Sequence, residues 1–92
     1  MTPDGGAQRR LVKVGDPTGL HARPCAALAK LVARTRDATL KVRLRGVEAD
    51  GGSILDLLGL VAAGGEELEL VAEGPGAAAL LDAAADLVGR AP

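Results

Sequence analysis

Leu40, Val42 and Leu44 alternate with Lys41, Arg43 and Arg45. A period of two puts the three apolar side chains on one face of a strand and the three cations on the other. Such a strand is half buried, so its sheet needs one covered face and one face in water. Helices packed on the covered side meet that need. Arg45-Gly46 reads as a hairpin turn, and Val47-Glu48-Ala49 as a short return strand broken by Asp50-Gly51-Gly52. Two other runs also read as strands. One is Arg10 to Val14, with Val12 and Val14 on the core face; the other is Glu67 to Glu73, with Leu68, Leu70 and Ala72 inward.

Between and after the strands the spacing turns helical. From Ala22 to Arg34, Cys25, Leu28, Ala29 and Val32 form one buried stripe, with Arg23, Lys30 and Arg34 opposite. Pro24 is tolerated only in a first turn, so it marks where that helix starts. Ser53-Ile54-Leu55-Asp56 has the S-x-x-D form of a helix N-terminus. The helix it opens, to about Val61, is apolar nearly all round. Leu57, Leu60 and Val61 share the side expected to reach the core. Ile54, Leu55 and Leu58 share another, which is either covered by a loop or left open as a partner surface. Gly64-Gly65 is read as the end of that helix. A last helix over Ala77 to Gly89 turns Ala77, Leu80, Leu81, Ala84, Leu87 and Val88 to one face.

The order βαββαβα predicts an α/β (α+β) open-faced sandwich, a four-stranded, mostly antiparallel sheet covered by three helices. At 92 residues the chain is long enough for one domain. Residues 1–8 read as a disordered lead-in and 9–90 as the domain. With 48% hydrophobic residues and no aromatic, the core must be Leu, Val, Ile and Ala, which packs thinly per residue. A net charge of −1 offers nothing to nucleic acid. No apolar run is long enough for membrane insertion, and no signal peptide is evident. A single cysteine forms no internal disulfide, so a cytoplasmic location is expected.

His21, the sole histidine, lies in Gly19-Leu20-His21-Ala22-Arg23-Pro24, after a turn made by Asp16, Pro17 and Gly19. This places it where a loop enters a helix. The first backbone N–H groups there lack partners and the dipole is positive, which suits an anion. An imidazole in that position can carry a phosphoryl group, with Arg23 and the N–H groups around Ala22 and Arg23 on its oxygens. The plain alternative is a surface or capping histidine.

This chain resembles HPr, the histidine phosphocarrier family of the bacterial phosphoenolpyruvate:sugar phosphotransferase system. Gly19 to Pro24 matches the family motif G-L-H-x-R-P in full, and Ser53 stands where a family serine opens the short second helix, followed by Ile54-Leu55 and Leu57 to Leu60. The similarity runs from about Val12 to Val88 with the same element order, implying an HPr-like fold. It implies that His21 accepts a phosphoryl group on Nδ1 from enzyme I and gives it to enzyme II A-domains, with Arg23 neutralising that group. It further implies a docking surface of Ile54, Leu55 and Leu58 with Lys30 beside it. In some lineages a serine kinase/phosphorylase would modify Ser53. The protein would be a monomeric relay with a transient phosphohistidine rather than an enzyme, and no metal or other cofactor is expected.

Several positions depart from the family pattern. Gly52 stands where Lys often precedes the serine, and Asp56 would repel a phosphate on Ser53. Ser53 as a plain N-cap would give its helix about 1 kcal/mol. Thr18 replaces a frequent Asn. Cys25 replaces a usual Ala; near a helix start a thiolate is favoured, which would allow redox tuning, the other reading being a small core residue. Other functions remain beside sugar transport. One is an HPr-like carrier of a nitrogen-related or dihydroxyacetone-kinase branch. Another is a non-transferring regulatory docking module, against which the presence of both His21 and Arg23 argues.

Overall fold

The computed structural model describes residues 7–90. The elements run β1 (Gln8–Lys13), α1 (Ala22–Arg34), β2 (Thr39–Leu44), β3 (Val47–Asp50), α2 (Ile54–Gly59), β4 (Glu67–Glu73) and α3 (Ala77–Gly89). The four strands form one sheet in the order β1-β4-β2-β3, with every neighbouring pair antiparallel. β1 and β2 are therefore parallel to each other across β4, and β3 and β4 across β2. Each such pair is joined through a helix, giving two interleaved split βαβ units. This is the open-faced sandwich expected from the order of the elements.

Alternation builds the core. Leu40, Val42 and Leu44 of β2 and Leu68, Leu70 and Ala72 of β4 are buried under the helices. α3 lies over β1, β4 and β2, α1 packs against α3 and α2, and α2 sits beside β3. The opposite face carries charge. There Arg9 pairs with Glu69 at 3.4 Å, and Arg43 reaches Glu48 at 3.2 Å and Glu69 at 3.5 Å.

β1 takes in Gln8 and Arg9 and stops at Lys13, two residues upstream of the expected start and one of the expected end. Its span is set by β4, Gln8 lying opposite Ala72 and Lys13 opposite Glu67. Val14 is buried just beyond the strand, its N–H donating to Glu66 O at 2.9 Å, while Val12 is only half-buried. Of the lead-in expected over 1–8, residues 1–6 lie outside the described ones.

α2 is shorter than its apolar pattern implies. Leu57 and Leu60 reach the core, but Val61 does not: it is 77% exposed. The helix tightens into i→i+3 bonds, Leu60 N–H to Leu57 O and Val61 N–H to Leu58 O, and Val61 then turns left-handed at φ 51°. That turn swings its side chain outward. The helix has ended five residues before Gly64, so the Gly64-Gly65 pair does not terminate it.

Candidate functional site

Asp16 to Gly19 form a tight turn closed by Gly19 N–H to Asp16 O at 2.9 Å. The chain then passes against the loop after α2, where Leu20 N–H donates to Ala62 O at 2.9 Å and the Leu20 side chain is buried. Only glycine permits this. A Cβ on Gly19, whose φ is 89°, would stand 2.4 Å from Ala62 O. A Cβ on Gly64 would stand 2.7 Å from the carbonyl oxygens of both Asp16 and Pro17. Gly64 therefore serves close approach between two loops. Just below them, Val14 N–H bonds to Glu66 O and Gly65 N–H to Val14 O, at 2.9 and 2.8 Å.

This clamp delivers His21 as the N-cap residue of α1, with extended backbone (φ −85°, ψ −169°) and no side-chain cap. The first helical bond is Cys25 N–H to His21 O at 3.1 Å. Pro24 has no N–H, so the orphan donors of the first turn are those of Ala22 and Arg23, and neither finds a partner among the described residues. Arg23 is exposed, and among the described residues its guanidinium pairs with no carboxylate.

The imidazole is 37% exposed and its Nε2 lies 2.8 Å from Oδ2 of Asp16. The other carboxylate oxygen, Oδ1, accepts from Thr18 N–H at 2.8 Å and from Thr18 Oγ1–H at 2.7 Å. The two Thr18 bonds, with the His21 contact behind them, hold the Asp16 carboxyl down to about 2. Asp16 is thus an ionised carboxylate, and an ionised carboxylate only accepts. Nε2 of a neutral ring must then carry the proton, leaving the lone pair on Nδ1.

In the sequence, Asp16 stands out only as a turn residue and Thr18 only as a variant position. The available signal was Asp five residues before His with Thr two after that Asp. Asp and Thr in a D-P-T-G turn commonly hydrogen-bond locally.

The other expected site residues lie around α2. Ile54, Leu55 and Leu58 are 42%, 80% and 36% exposed, and Val61, just past the end of α2, is exposed as well; the carbonyl of the next residue, Ala62, receives the Leu20 N–H. Lys30 is exposed on α1, the helix α2 packs against. Ser53 caps α2, its Oγ accepting from Asp56 N–H at 3.2 Å. The Asp56 carboxylate in turn accepts from Asp50 N–H at 3.3 Å. Cys25 is fully buried, with Sγ 3.4 Å from Leu20 O. Burial pushes its thiol pKa up, so the helix start does not produce a thiolate, and Cys25 packs as a small core residue.

The family model for the PTS HPr component phosphorylation site matches residues 8–90. The phosphocarrier protein HPr of Streptomyces coelicolor is 39% identical over 82 residues, 89% of this chain and 87% of that protein. The phosphocarrier protein HPr of Treponema pallidum is 35% identical over 74 residues, 80% of this chain and 83% of that protein. The crystal structure of an HPr from Bacillus anthracis superposes with a TM-score of 0.84 at 27% identity, over 89% of this chain and 96% of that one. With the G-L-H-A-R-P motif set at the start of α1 and this match over nearly its whole described length, the chain belongs to the HPr family of the phosphotransferase system.

Proposed function

We propose that the protein is a phosphocarrier of the phosphoenolpyruvate:sugar phosphotransferase system, with His21 as its phosphoryl acceptor. One observation carries this reading: Asp16 occupies Nε2, so the nucleophilic lone pair stands on Nδ1 at the open start of α1. The N–H groups of Ala22 and Arg23 and the Arg23 guanidinium are the donors for the phosphoryl oxygens. Phosphoryl transfer asks mainly for such positioning and charge stabilisation.

Enzyme I is the donor and enzyme II A-domains the acceptors in this reading. Each docks on Ile54, Leu55 and Leu58 with Lys30 alongside. The protein cycles between free and phosphohistidine states and turns over no substrate of its own. No helix among the described residues is long and apolar enough to cross a membrane, which accords with a relay working in the cytoplasm. The hydroxyl of Ser53 serves as the cap of α2. A kinase acting there would place phosphate near the carboxylate of Asp56, and we assign Ser53 the structural role.

The test is phosphorylation by phosphoenolpyruvate, magnesium and purified enzyme I, read by intact mass. The wild-type chain gains one acid-labile phosphoryl group and His21→Ala gains none. Equal acceptance by the variant removes His21 from the assignment.

A further inference from the structure

We propose that Asp16 is a positioning residue for phosphoryl transfer: oriented by Thr18, it fixes the proton of His21 on Nε2 and so directs transfer to Nδ1. The proposal rests on the phosphocarrier reading above and adds a residue to its site.

The geometry assigns each oxygen of the carboxylate a separate task. Oδ1 is taken by the two Thr18 donors, one of them a backbone N–H that cannot accept. Oδ2 is left for Nε2. The carboxylate cannot rotate to another pose without breaking three bonds. It is charged near neutral pH, as any Asp carboxyl is, and those bonds lower its pKa further.

In the transfer step the Nδ1 lone pair attacks phosphorus and an Nδ1–P bond forms. The bond from phosphorus to the donor nitrogen breaks, and its electron pair stays on that nitrogen. The Nε2 proton need not move. The product ring carries both Nε2–H and the Nδ1-phosphoryl group and is therefore formally cationic, with the carboxylate of Asp16 facing that charge. When the group leaves, the same electron pair returns to Nδ1 and the ring is neutral again. A donor imidazole that starts with its own N–H departs neutral, so one unit of ring charge passes between partners with the phosphoryl group.

The same geometry makes Asp16→Asn a sharp variant. Thr18 N–H requires an acceptor, so the amide oxygen of Asn stays toward Thr18. The NH2 then faces Nε2 and donates to it, which drives the ring proton onto Nδ1, the nitrogen that should react. Asp16→Ala removes the partner without imposing the wrong tautomer. A purely structural role predicts the reverse order, because Asn keeps the turn and Ala does not.

The experiment measures acceptance from phosphoramidate, a small N-phosphoryl donor that needs no docking surface, with ring 15N chemical shifts recorded on the same samples at a pH where the ring is neutral. The wild type shows Nε2–H. Asp16→Asn moves population to Nδ1–H and slows acceptance roughly tenfold or more, the scale of losing an orienting partner. Asp16→Ala is slowed less. A wild-type ring spectrum in Asp16→Asn, or faster acceptance by Asn than by Ala, overturns the proposal. Failure of the wild type to accept from either phosphoramidate or enzyme I overturns the underlying reading of the site, whatever the ring spectra show.

Discussion

At Val61 the backbone stands at φ 51°, although the residue is β-branched and 77% exposed. The left-handed region costs an ordinary L-residue about 1–2 kcal/mol, and little packing is present to compensate. Glycine relieves that strain but gives back about 0.5–1 kcal/mol of chain entropy. Val61→Gly is therefore expected to stabilise the fold by up to about 1 kcal/mol. A thermal melt followed by circular dichroism should rise by a few degrees, about 4 °C for a full 1 kcal/mol in a domain of this size. A fall in Tm would show that the side chain packs more than its exposure indicates. Glycine or asparagine commonly marks a left-handed helix end. With valine there, the apolar spacing continues past the end of α2 and points to a core position that Val61 does not occupy. At Asp16 the residue types mark the turn, but no spacing encodes that one carboxylate oxygen meets His21 and the other Thr18.

Elements with strong periodicity were legible to the residue. α1, α3 and β4 occupy the spans their patterns indicated, because each has a full apolar stripe or clean alternation and a marked start or stop. β1 is displaced because hydrogen bonding to β4, which apolar alternation does not report, sets its ends. α2 is the informative case for function. A six-residue helix cannot bury its whole circumference; Leu57 is fully buried while Leu55 is 80% and Leu58 36% exposed. An apolar side chain left in water at the edge of a candidate site has more to gain from a partner than from its own fold. For Leu58→Glu, losing part of one side chain's burial and placing a negative charge near the helix C-terminus should cost about 1 kcal/mol of stability. Binding to enzyme I should weaken more, roughly tenfold or beyond, if Leu58 lies within the central docking cluster. Titration calorimetry beside a melt separates the two effects. A large drop in Tm with unchanged affinity would mark Leu58 as core and move the docking surface elsewhere.

For the molecule as a whole, the absence of aromatics decides how stability is distributed. No single ring anchors the core, so it rests on aliphatic side chains stacked between one sheet face and three helices. β4, flanked by β1 and β2, contributes three fully buried members, Leu68, Leu70 and Ala72. A domain of this length holds about 4–13 kcal/mol in total. Leu70→Ala should remove about 3 kcal/mol through lost transfer and an unfilled cavity, a large share of that margin. Val71, next along the strand, points to the opposite face, opposite Arg9 on one side and Lys41 on the other. It is 5% exposed, and its neighbours on that face are the aliphatic stems of Arg9 and Lys41 and, one diagonal step away, Leu11. Such stems can close over a gap, so Val71→Ala should cost about 1 kcal/mol. Urea denaturation of the two variants at constant m-value measures the contrast. Comparable losses would mean that the charged face is a second core rather than a solvated surface. If the contrast holds, Leu70→Ala should still accept a phosphoryl group well below its Tm. The His21 loop is held by backbone bonds from Leu20 to Ala62 and from Val14 to Gly65 and Glu66, and Leu70 makes none of them.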